Sequence, residues 1–61
     1  MKIIELTSAD TGKIIYVNAD QIETFGASAE GGSYMYIARG LFAVREEPSA
    51  ILARIAHADM L

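Results

Sequence analysis

The run YMYIARGLFAVREEPSAILARIA, residues 34–56, contains the change of pattern on which the fold turns. Its first part, YMYIA at residues 34–38, is dense in aromatic and β-branched side chains. It reads as a strand with Tyr34 and Tyr36 on one face and Met35 and Ile37 on the other. Arg39 and Gly40 follow as a two-residue turn, and LFAVR, residues 41–45, returns as a strand with Leu41 and Ala43 on one face and Phe42 and Val44 on the other. At Glu46 the period changes. Proline at a first helical position costs nothing, because its missing N–H would have no intrahelical partner, so Pro48 opens a helix. The neighbouring Glu46 and Glu47 suit the positive end of the helix dipole. Ile51, Leu52, Ile55, Ala56 and Met60 then recur at spacings of three and four, with Arg54 and His57 to one side, which predicts one apolar stripe.

Toward the N-terminus the pattern is again that of strands. KIIELT, residues 2–7, alternates, SADTG at residues 8–12 is a cluster of turn formers, and KIIYV at residues 13–17 is a second β-branched run, so the chain opens with a β-hairpin. The phrase NADQ, residues 18–21, reads as a corner or single helical turn, since Asn18 and Asp20 have short side chains that bond back to the local backbone. IETFGAS, residues 22–28, resumes as a strand, with Ile22 and Thr24 on one side, Glu23 and Phe25 on the other, and Gly26 marking a bulge or the end of pairing. AEGGS, residues 29–33, is a loop in which Gly31 and Gly32 supply positive φ. The expected fold is a single α+β domain spanning residues 1–61: a curved antiparallel sheet of four to five strands and one C-terminal helix, in the order β-β-β-β-β-α.

Composition narrows the function. A chain of 61 residues is near the lower limit for a self-sufficient core, and with no Cys it has neither disulfides nor thiolate metal sites to help. The first ten residues, MKIIELTSAD, carry no long apolar run, so neither a signal peptide nor a membrane anchor is expected and a cytoplasmic setting is the default. Five Lys and Arg against eight Asp and Glu give a net charge of −3, and the cations are scattered singly, which argues against direct nucleic-acid binding.

Catalytic constellations are not apparent. Asp20 and Glu23 have no third group converging on them, His57 is the lone histidine, SAEGGS lacks the GK[ST] ending of a phosphate loop, and no Ser has a His and a carboxylate at recognisable spacing. No enzyme activity, cofactor or metal is therefore expected. What remains is apolar surface. Both faces of the hairpin formed by residues 34–45 are apolar, and a single helix covers only one side of a sheet. Either the sheet curls to bury the second face or that face meets another chain, a protein target or a second copy. On the second reading the contact residues are Tyr34 and Tyr36, rimmed by Glu23, Glu30, Glu46 and Glu47, and a basic target, as nucleic-acid-handling complexes are, would suit that rim.

The phrases IIELT, GKIIYVNADQIETF and AVREEPSAILARI, taken in that order, resemble the small FlbD-type flagellar and swarming-motility proteins. The loop GASAEGGS and the run SYMYIARG depart from that family, which tends to carry a charged, Thr-rich hairpin tip there. The resemblance implies a small non-enzymatic regulator, with no catalytic residues to transfer. Composition and size also fit a phage- or prophage-encoded inhibitor of a host defence complex, of the anti-CRISPR type. Flagellar genes beside the coding sequence would favour the first reading, and phage or defence genes the second.

Overall fold

The computed structural model describes residues 2–38 and 40–60, the last two of these in backbone only. Five strands and one helix follow one another: β1 (Ile3–Thr7), β2 (Ile14–Asn18), β3 (Ile22–Ala27), β4 (Ser33–Ile37), β5 (Gly40–Val44) and α1 (Pro48–Met60), with a 3-10 turn over Ala19–Gln21. The α+β class and the element order are those expected. The strands form two antiparallel sheets, β1-β2 and β3-β4-β5.

The two sheets meet at one corner. Ser8 bridges to Val44, the Arg45 N–H donates to the Thr7 carbonyl at 2.9 Å, and the Ala9 N–H donates to the Ala43 carbonyl at 3.0 Å. A longer β1–β5 ladder would require the Thr7 N–H to find a backbone carbonyl. It donates instead to the Glu46 carboxylate, Oε1, at 2.8 Å, and the Thr7 hydroxyl donates to Oε2 at 2.9 Å. A side chain thus replaces the ladder, and one curved sheet becomes two.

Corners behave as their residues dictate. Asn18 caps the 3-10 turn, its Oδ1 accepting from the Asp20 N–H at 3.0 Å, which confirms the structural reading of NADQ. Two local expectations are corrected. The irregularity in β3 lies between Ile22 and Thr24, so Glu23 is the extra residue and Ile22 and Phe25 both pair with inward-facing partners, Ile37 and Met35. Gly26 stays in register opposite Tyr34. The β4–β5 turn is also one residue earlier than expected: Ile37 pairs with Gly40, so the strand ends before Ala38 and Gly40 already belongs to β5. Ala38 has φ 52°, and Arg39 lies outside the described residues.

The core is built by both sheets and the helix together. Ile4, Leu6, Val17, Met35, Val44 and Ile51 are buried, with Ile22, Phe25, Ile55 and Ala58 packed around them. Full burial of such a side chain contributes about 1.5–3 kcal/mol, so six of them form the main apolar anchor of a small domain. The helix stripe is corrected accordingly. Ile51, Ile55 and Ala58 face the core, whereas Leu52 is 59% exposed and Ala56 is exposed; the side chain of Met60 lies outside those described. On the flank of that face the Arg54 guanidinium Nη1 donates to the Glu5 carbonyl of β1 at 2.9 Å.

Helix α1 begins as expected at Pro48, with the Ala50 and Ile51 N–H groups donating to the Glu47 carbonyl at 2.9 and 3.1 Å. Gly32 permits the approach of the preceding loop: with φ 70°, any Cβ there would collide with the Val44 carbonyl oxygen. Beside it Ser33 is fully buried, and its hydroxyl donates to the Glu46 carbonyl at 2.7 Å.

Candidate functional site

Strands β3, β4 and β5 share two faces. Ser33, Met35 and Ile37 of β4 alternate with Tyr34 and Tyr36, and the registers place Tyr34 between Gly26 and Ala43, and Tyr36 between Thr24 and Leu41. Met35 lies in the core, and the tyrosines therefore stand on the opposite, outer face. The tyrosine face is therefore not part of the closed interior.

The tyrosines are ordered by each other and by a glycine. Their rings meet edge to face with centroids 6.0 Å apart and planes at 78°, a geometry in which the positive ring edge of one meets the negative face of the other. A Cβ on Gly26 would sit 2.9 Å from the Tyr34 hydroxyl oxygen, so the absence of a side chain lets Tyr34 lie across β3. Tyr34 is 37% and Tyr36 45% exposed, and Leu41 beside them is more exposed still. The apolar surface continues round β5, because Phe42, on the opposite face of that strand, is also exposed. There it borders an open groove of about 830 Å³ lined by Ile15, Val17, Met35, Ile37 and Phe42. This groove was not anticipated. The apolar character of Phe42 and Val44 was visible, but not that the β1-β2 hairpin would stand opposite them.

The carboxylates expected to form a rim separate into two sets. Glu23 and Glu30 are exposed, Glu23 in the bulge of β3 and Glu30 in the loop to β4. Glu47 is exposed as well, but its Oε1 accepts from the Gly32 N–H at 3.3 Å. The Glu46 side chain, only 11% exposed, has both oxygens engaged by Thr7 and lies 3.9 Å from Arg54. Burial pushes its carboxyl pKa up, but the Thr7 amide and hydroxyl, its own N–H and the Arg54 charge outweigh that and hold it below 4.5. Its place is at the junction of β1, β5 and α1.

Among the described residues, no group of three or more His, Asp or Glu is arranged to hold a metal ion, and no helix is long and apolar enough to cross a membrane. No protein family, curated protein or solved structure matches the chain.

Proposed function

We propose that the chain is a small non-enzymatic regulator or inhibitor that acts by occupying the surface of a partner protein. The observation that carries this reading is the outer face of β4 and β5, where Tyr34, Tyr36 and Leu41 form one exposed apolar patch while the helix packs elsewhere. Tyr suits such a role because it buries a large, rigid ring yet keeps a hydroxyl for the wet edge of an interface. Two side chains held edge to face lose little further freedom on binding, which lowers the entropy cost of association.

Charge selects the class of partner. With a net charge of −3 and Glu23 and Glu30 exposed on elements next to the patch, a basic protein surface is attracted and an acidic one repelled. A component of a nucleic-acid-handling complex fits that description, and a cytoplasmic setting accords with it. Both a motility regulator of the FlbD type and a phage inhibitor of a host complex would act in this way.

The test is a comparison of Tyr36→Ala with a charge reversal, Glu30→Lys, in capture of the partner from lysate of the source cell. Tyr36→Ala is expected to abolish capture with the circular dichroism of the helix retained. Glu30→Lys is expected mainly to slow association, and less so at high salt, because rim charges act over a Debye length of about 8–10 Å. Undiminished capture by Tyr36→Ala refutes the assignment of the contact face.

A further inference from the structure

Strand β2 is an open sheet edge. The Ser8 N–H donates to the Lys13 carbonyl at 2.9 Å and the Ala19 N–H donates to the Lys2 carbonyl at 2.7 Å, and these two bonds fix the parity of the β1-β2 ladder. In an antiparallel pair, bonded positions alternate, so Ile15 and Val17 turn their amide groups toward Leu6 and Ile4. Ile14, Tyr16 and Asn18 turn theirs the other way. No strand pairs with that side among the described residues.

The edges of β1 and β3 are blunted, and the end of β5 is held by β1 through the Ala43 carbonyl and the Arg45 N–H. On β1 the outward groups of Thr7 and Glu5 are taken by the Glu46 carboxylate and the Arg54 guanidinium. On β3 the bulge at Glu23 interrupts the register and adds a charge. Bulges, charges and covering side chains are the usual means of blunting a sheet edge, and β2 has none of them. It is regular over five residues, IIYVN, without a charge or a proline, and Tyr16 is 71% exposed.

We infer that this edge pairs with the same edge of a second copy, making a continuous β1-β2-β2-β1 sheet across a two-fold axis at Tyr16. A two-fold perpendicular to the sheet keeps outer residues on the outer face, so Tyr16 lies opposite Tyr16 of the second copy, Ile14 opposite its Asn18, and Ile15 opposite its Val17. The groups already aimed outward then meet. Tyr16 N–H and C=O bond their counterparts, and the Asn18 N–H bonds the Ile14 carbonyl, each twice by symmetry. The Asn18 carbonyl is left to the 3-10 turn that it starts. Charge complementarity chooses a second copy over an arbitrary peptide. The only charged residues from 13 to 20 are Lys13 and Asp20, one at each end and both exposed. Antiparallel pairing about Tyr16 sets each Lys13 opposite Ala19 of the other copy, one residue from its Asp20, so opposite charges adjoin at both ends of the ladder. The net charge of −3 on each chain is thus offset locally where the copies meet. Tyr34 and Tyr36 lie on the other sheet.

The proposal is tested by sedimentation of the whole chain from about 1 μM to about 1 mM, a range that spans weak to moderate self-association. A reversible monomer–dimer equilibrium is expected. Tyr16→Pro deletes an outward N–H, a change that edge strands tolerate, and is expected to be monomeric with an unchanged circular dichroism spectrum. Tyr16→Lys places two ammonium groups face to face and is expected to weaken dimerisation at least about tenfold; it decides the matter if the proline variant does not fold. Lys13→Glu should weaken the dimer, and adding Asp20→Lys should restore it. A chain that is monomeric throughout overturns the proposal, including one that captures an extended peptide instead, as does a dimer indifferent to Tyr16→Lys.

Discussion

Glu46 joins three elements through one side chain, and its chemistry makes that junction sensitive to acid. Its carboxyl is held below 4.5 in the fold by the Thr7 donors, its own N–H and Arg54, all acting against burial, while in the unfolded chain it returns to the ordinary value. The stabilisation is therefore present above the ordinary carboxylate pKa and is lost as pH falls through the lower native value. Glu46→Gln is expected to cost about 1–2 kcal/mol at neutral pH, the worth of a charge-assisted hydrogen bond, and the gap to the parent should close as the solution is acidified below that window. Urea denaturation of both proteins across the pH range measures it; a gap independent of pH contradicts the role given to the carboxylate. Ala38 presents the opposite case, a residue whose backbone is ill suited to its place. A left-handed φ of 52° directly after β4 favours Asn or Gly. Ala38→Asn is expected to gain about 0.5–1 kcal/mol and raise the thermal midpoint by about 2–8 °C. A lowered midpoint would contradict the left-handed backbone at Ala38.

Helix α1 is the element whose orientation the sequence left open. Apolar side chains surround it nearly all round: Ile51, Leu52, Ile55, Ala56 and Ala58 admit more than one stripe, and periodicity chose Leu52 and Ala56 where packing chose Ala58. That packing is made with strands distant in the sequence, as is the Arg54 bond to the Glu5 carbonyl 49 positions away, and neither leaves a local signal. Ile51→Ala is expected to cost about 2–5 kcal/mol and Leu52→Ala no more than about 0.5 kcal/mol, measured by thermal or chemical denaturation. Equal costs would mean that the helix is turned to the other face. The strands were more legible, because β1 alternates, β2, β4 and β5 are rich in β-branched, aromatic and other apolar residues, and turn formers bound most of them. In β3 the alternation was misread: Glu23 is an extra residue, visible only once Ile22 and Thr24 have partners in β4. The corner at Asn18 was legible because its chemistry is local. Glu46 was not, since Thr7 lies 39 residues away.

At the scale of the whole molecule, one side of the three-stranded sheet completes the core and the other presents aromatic surface. The tyrosines were identifiable from their strand, and their position outside the core follows from Met35 and Ile37 facing the other way. The groove beside Phe42 depended on the placement of a distant hairpin and was not. On the function proposed, the tyrosine face serves binding rather than folding. Tyr36→Ala tests it most directly when its thermal unfolding and its partner capture are measured on the same preparation. A cooperative transition is expected, destabilised by no more than about 1 kcal/mol as befits a half-exposed side chain, together with loss of the captured protein. A variant that unfolds, or one that captures its partner as well as the parent does, would contradict it.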